Sequence, residues 1–312
     1  MATQAMTRPT TKRPPARAKP LSAKLPWNDK AGRFAPLKAV TLVLLCLPVL
    51  WLGYRFAFVG STGPFGVGPR PITEAIHRLG DWTVYFLLIT LAVTPARRLF
   101  DWSKLIQVRR MIGIAALTYI LGHFTLFIFD SKWDLVFVAR EIVFRIYLTI
   151  GFTAILGLIA LGVTSTDGMI RRMGAREWNT LHNLIYPIAA LAILHYYMQS
   201  KVDVTQPVLM SGFYFWLMGY RLMARYGYKD GLVPLLLLSV SSAVLTALTE
   251  ATWYGIATGI GFWRPLMANL DLSFQIRPAW WVLFAGLAVT AVAEIRGRMR
   301  GATRRGRAAA AA

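Results

Sequence analysis

The chain reads as long apolar blocks separated by short polar ones. Eight blocks stand out, at approximately 39–58, 81–96, 111–129, 143–163, 182–199, 208–223, 232–250 and 279–295. A transmembrane helix needs about 20 mostly apolar residues to cross about 30 Å of hydrocarbon. Blocks of this length predict an all-α, polytopic transmembrane helix bundle. The second and sixth are short; the eighth is bounded by Pro278 and by an arginine-rich end from Arg296. No small-residue cleavage site follows the first block, so it is expected to remain as a span. The loops are too short to fold as domains of their own.

Composition sharpens this picture. Of 312 residues, 56% are hydrophobic and 16% charged, against about 25% charged in ordinary soluble domains. Soluble globular and disordered classes are excluded for the chain as a whole. The 35 Lys and Arg outnumber the 14 Asp and Glu, for a formal charge of +21. With the N-terminus placed in the cytoplasm, 26 of those basic residues fall in inner segments and 9 in outer ones, alternating loop by loop. Cytoplasmic loops carry such an excess, so topology accounts for the charge without nucleic acid. Residues 1–38 are basic and hold Pro9, Pro14, Pro15, Pro20 and Pro26, which reads as a disordered cytoplasmic tail. Residues 297–312 read as a second basic cytoplasmic tail.

Several chemistries have no residues to carry them. No GxxxxGK[ST] phosphate loop occurs, and the GPFGVGP stretch with Gly63, Gly66 and Gly68 reads as an outer turn. No strand–helix alternation provides a dinucleotide domain, so if this protein handles electrons a partner must deliver them. Cys46 is the single cysteine, which leaves no intrachain disulfide, CxxC pair, c-type haem attachment or iron–sulfur cluster.

Metal chemistry therefore falls to four histidines. His123 sits in the outer half of the third span and His195 in the outer part of the fifth. His182 opens the fifth span at its inner end, and His77 precedes the second span near the outer surface. One membrane histidine can simply pack and hydrogen-bond a neighbour, but ionisable residues in spans more often mark a functional path. Two imidazoles at one depth on facing helices suit the two axial positions of a b-type haem. Zinc would want three or four ligands. His182 and His195 lie 13 residues apart, about 20 Å along a helix, with Pro187 between them as a kink that could bring both toward one face. Fourteen residues before His123 stands Arg109, which cannot replace an imidazole, so the inner site looks incomplete as a bis-histidine site.

The histidine spacing resembles that of the ferric-reductase-like transmembrane domain, shared with the NADPH oxidases. More narrowly the chain is similar to the haem-binding membrane subunits of bacterial methionine sulfoxide reductase systems. HRLGDWT (77–83), LAVTPARR (91–98), RRMIGIAAL (109–117), TSTDGMIRRMGAREWNTLHNLIYP (164–187) and ILHYY (193–197) carry the likeness, over roughly residues 40–225. The resemblance implies a six-helix core in residues 39–225, with about two extra C-terminal spans in 226–296. It implies an inner-membrane cytochrome with haem b and FMN. Electrons would come from a cytosolic flavin reductase or membrane quinone and go to a periplasmic MsrP-like molybdopterin reductase that repairs oxidised proteins. Carried over by position, His123 and His195 would be the outer haem ligands and His182 the inner histidine. Arg109 stands where the oxidases have a fourth histidine, and Arg109 and Arg110 could pair a flavin phosphate or serve only as positive-inside anchors. His77 also matches a family histidine. Two other readings stand beside the electron conduit. A ferric or other metal reductase would reduce chelated iron without a protein partner. A histidine-containing transporter would bind no haem, and the scarcity of acidic residues in the spans disfavours it.

Overall fold

The computed structural model describes residues 25–310 except 30, 61–65, 201–202, 229 and 274, with side chains described up to residue 299. Of the tails expected in residues 1–38 and 297–312, residues 1–24 and 311–312 lie outside the described residues, as does the turn at Gly63. Two units divide the chain, Met1–Leu44 and Leu45–Ala312. In the first, Asp29 accepts from the Ala31 and Arg33 amides, closing a tight turn.

Twelve α-helices follow one another among the described residues, with no strand between them: α1 Pro36–Tyr54, α2 Pro71–Leu99, α3 Ile106–Asp130, α4 Leu135–Phe144, α5 Ile146–Val163, α6 Asp167–Met173, α7 Ala175–His182, α8 Ile185–Gln199, α9 Thr205–Arg225, α10 Leu232–Ala257, α11 Trp263–Ala268 and α12 Pro278–Ala310. Among the described residues six segments are long and apolar enough to cross a membrane: Pro36–Val59, Pro71–Leu99, Ser103–Asp130, Ile146–Val163, Leu232–Ala257 and Pro278–Met299. The protein is a polytopic all-α membrane bundle, as the apolar blocks predict. The fifth and sixth blocks are helices too, α8 and α9. At 15 residues, α8 is shorter than a full crossing, and α9 is diluted by Gln206, Ser211, Tyr220 and Arg221.

Local chemistry explains where the helices depart from the blocks. The second helix begins at Pro71, ten residues before its apolar block. Proline suits the first helical position because its missing N–H has no partner there. The following turn is polar but holds itself together through the Glu74–Arg78 pair at 2.8 Å. His77 therefore lies within α2, not in the loop before it. Helix α4 was hidden because the apolar run continues past it into α5. Asp134 caps it by accepting from the Phe137 amide at 2.9 Å, and Arg145 breaks it with an extended backbone. The helix of the eighth block, α12, starts at Pro278 as expected but continues through the arginine-rich end to Ala310.

The largest departure concerns the fifth span. His182 and His195 do not share one helix: α7 ends at His182, and α8 starts at Ile185. Pro187 lies in the first turn of α8, where a missing N–H costs nothing. Its ring would clash with the carbonyl four residues back, at Asn183. The chain therefore breaks at Asn183–Leu184, upstream of the proline, and does not kink at it.

Within the second unit, α2 packs along α3, α5 along α8, and α9 against α2, α10 and α12. The Tyr119 hydroxyl of α3 donates to the Leu45 carbonyl and accepts from the Val49 amide, inserting into the backbone ladder beside Pro48.

Candidate functional site

His123 projects from α3 and His195 from α8 into one cavity of about 380 Å³. Their ring centroids are 6.4 Å apart, and the rings stand at 86° to each other. Each Nδ1 points at a backbone carbonyl: His123 at Ile76 of α2, 2.7 Å away, and His195 at Tyr147 of α5, 2.8 Å away. A carbonyl can only accept, so both Nδ1 atoms carry the proton and both Nε2 atoms keep a free lone pair. A carbonyl behind the ring in this way fixes the tautomer and orientation of a metal-ligating histidine.

The two cradles share one construction. Four residues after Ile76 comes Gly80, and four residues after Tyr147 comes Gly151. A Cβ on Gly80 would stand 3.2 Å from His123 Nδ1, and one on Gly151 only 2.7 Å from His195 Nδ1. Each imidazole lies where the next helical turn would otherwise place a side chain. Glycine lets helix backbones and rings approach this closely.

This arrangement can hold a metal between two imidazoles. A metal–imidazole nitrogen bond is about 2 Å, so two such bonds plus two ring half-widths come close to the observed separation. Among the described residues no group of three or more His, Cys, Asp or Glu could hold a bare ion. Two ligands suffice where a porphyrin supplies the other four nitrogens. The walls suit a flat apolar group, with Phe124, Phe127, Phe152, Ile155 and Leu158 around the pair. His77 and Asp81 also line this cavity. Asp81 is a half-buried carboxylate of α2 that the sequence reading passed over. Its position inside the HRLGDWT motif, one residue after Gly80, was the available signal.

A second cavity, also about 380 Å³, lies among the ends of α2, α3 and α9 and the α7–α8 break. Arg98, Arg109, Arg221 and Arg225 line it with His182, and no carboxylate is among its lining residues. Arg221 sits over the Tyr186 ring at 5.2 Å and donates to the Leu217 carbonyl at 2.8 Å. Arg110 is elsewhere: it pairs with Asp167 at 2.7 Å on the surface. Neighbouring positions on a helix point about 100° apart, so Arg109 lines this cavity while Arg110 does not. Arg98, Arg221 and Arg225 are the companions that the sequence reading missed, since their proximity depends on how three helix ends meet.

His182 differs from the His123–His195 pair. Its ring stacks on Trp178 at 3.7 Å; Nδ1 lies 3.0 Å from the Trp178 carbonyl and Nε2 3.2 Å from the Ser165 hydroxyl. Trp178 in turn donates to the Thr164 carbonyl at 2.8 Å, so it braces the histidine. No second histidine lines this cavity.

Residues 79–193 match the family described as ferric reductase like transmembrane component. Three relatives bear the name protein-methionine-sulfoxide reductase heme-binding subunit MsrQ. The one from Rhodospirillum rubrum is 39% identical over 197 residues, covering 63% of this chain and 89% of the relative. Those from Herminiimonas arsenicoxydans and Xanthomonas campestris pv. campestris are each 42% identical, covering 53% and 57% of this chain and 81% and 82% of themselves. No solved structure matches the chain.

Proposed function

The chain belongs to the MsrQ family of protein-methionine-sulfoxide reductase heme-binding subunits, and from that premise we propose that it is a b-type cytochrome of the bacterial inner membrane. It carries electrons from a cytosolic flavin reductase or membrane quinone to a periplasmic MsrP-like molybdopterin reductase, and both termini face the cytoplasm. The observation that carries this reading is the His123–His195 pair, with each Nδ1 tethered and each Nε2 free. When bound, haem b supplies one-electron chemistry between ferric and ferrous iron.

The chain's own residues do the rest. The Ile76 and Tyr147 carbonyls aim the two imidazoles and raise their basicity as ligands. Gly80 and Gly151 give the rings room. Phe124, Phe127 and Phe152 give the cavity an apolar wall. At the inner end, Arg109 with Arg98, Arg221 and Arg225 offers guanidinium groups to the phosphate of FMN. His182 is a wall of that inner site; serving as a third haem ligand would require it to leave Ser165.

An absorption spectrum of the purified protein, oxidised and dithionite-reduced, tests the haem assignment. A six-coordinate b-type spectrum is expected, and His182→Ala is expected to retain most of it. Wild-type protein without haem, from cells supplied with it, would overturn the assignment. The inner site has its own prediction. A hydrogen bond to a charged group is worth about 1.5–3 kcal/mol, so Arg109→Gln lowers FMN retention at least about tenfold. Arg110→Gln leaves FMN unchanged, because that side chain is held by Asp167. Flavin fluorescence after acid release, per chain, measures both; equal losses would remove the phosphate from this cavity.

A further inference from the structure

We propose that the two C-terminal spans, α10 and α12, are a brace for the ligand helix α8, with Glu250 as its lock and Trp253 as the contact that acts on His195. The three relatives named above match 53–63% of this chain, and the C-terminal spans lie beyond the stretches that carry the family likeness.

Helix α8 needs support. It is only 15 residues long and is cut off from α7 by the break at Asn183–Leu184. At its inner end Tyr214 donates to the Tyr186 carbonyl at 3.2 Å and Arg221 lies over the Tyr186 ring; at its outer end the rotation of the helix about its own axis aims the His195 ring. Tyr197, two residues on, points about 200° away from His195 around the helix. It is 3% exposed and is gripped from two sides. Ser211 of α9 donates to its hydroxyl at 3.0 Å, and Trp253 of α10 packs on its ring at 4.9 Å. Holding Tyr197 therefore holds the rotation of α8.

The brace is itself fastened at both levels. Along its length side chains of one helix seat on glycines of the next: a Cβ on Gly212 of α9 would stand 2.3 Å from the Val282 side chain and 2.4 Å from the Thr246 hydroxyl, and one on Gly286 of α12 would stand 2.5 Å from the Ser239 hydroxyl. At its outer end Glu250 is 2% exposed. A charge buried in a membrane segment is costly unless fully paired. Arg277 donates to one carboxylate oxygen at 2.9 Å and Asn269 to the other at 3.0 Å. Trp280 donates to the Asn269 carbonyl at 2.7 Å. These partners come from the connection into α12 and the start of that helix, so the lock closes the hairpin one turn from Trp253. Glu250 and Trp253 are positioning residues; neither touches the cavity.

The inference rests on the haem reading, and the experiment separates the two. Near-perpendicular imidazole planes on one ferric haem give a low-spin EPR signal with an unusually large highest g value. Full-length protein is compared as wild type, Trp253→Ala, Trp253→Phe and Glu250→Gln, by EPR, by midpoint potential and by haem per chain. Trp253→Ala is expected to lower and broaden the highest g value and shift the potential, and Trp253→Phe to restore both. Glu250→Gln is expected to show the same change in smaller measure. Wild-type g value and potential in Trp253→Ala overturn the brace. If Trp253→Ala loses the haem, Glu250→Gln decides: a changed signal supports the brace and an unchanged one overturns it. A wild type without the low-spin signal fails the haem reading instead.

Discussion

Replacing His123 or His195 by alanine is expected to reduce haem per chain at least about tenfold, with loss of the sharp reduced α-band in whatever remains. The estimate is a lower bound. Removing a group behind a metal ligand already costs about 10–100-fold in affinity, and these substitutions remove the ligand itself. The two variants should behave alike, because each imidazole is the same device: a free Nε2 toward the cavity and an Nδ1–H on a helix carbonyl. Neither variant should unfold. His123 and His195 line a cavity, so truncation enlarges an existing space. Parallel size-exclusion profiles check this point. A variant that keeps wild-type haem content and band shape would exclude that histidine as a ligand.

Gly151→Ala is expected to damage the site nearly as much without removing any ligand. The added methyl would lie 2.7 Å from His195 Nδ1 and 2.9 Å from Cε1, closer than a Cβ tolerates. The ring must swing away, and its hydrogen bond to the Tyr147 carbonyl goes with it. Losing that outer-shell bond predicts a fall of about 10–100-fold in haem affinity. Gly80→Ala, at 3.2 Å from His123 Nδ1, should cost less. Gly113→Ala, also in a helix but facing open space, should cost nothing. Alanine is favoured over glycine inside a helix by about 0.5–1 kcal/mol, so general destabilisation predicts the opposite trend. Haem per chain across the three variants tests the order; equal retention in Gly151→Ala and Gly113→Ala would refute the cradle.

How much of the site was legible depends on which property of the chain carries it. His123, His195 and His182 were identifiable because an ionisable residue within an apolar run is visible wherever it occurs. Their division into a facing pair and a separate inner residue was only half visible. Depth along the helices separates outer from inner, but the shared 13-residue stretch suggested one kinked helix. The sequence offered Pro187 as the kink; the steric demand of its ring at Asn183 moved the break upstream. Arg109 and Arg110 looked equivalent as neighbours in sequence. Helical rotation sends one to the inner cavity and the other to Asp167. Gly80 and Gly151 were present in the sequence as unremarked glycines, since a glycine at close approach and one facing lipid read the same.

By itself the sequence determined the class of molecule: an all-helical chain in a membrane, the approximate positions of its crossing segments and its small stock of metal-binding side chains. These follow from hydropathy and residue type, which are local properties that each segment carries independently. Only the tertiary structure decided which imidazoles share a cavity, which carbonyls aim them, which arginines converge and where the C-terminal hairpin grips α8. Those relations depend on the rotation and contact of helices distant in sequence. That geometry is set by backbone approach and side-chain packing between segments, which no single segment encodes.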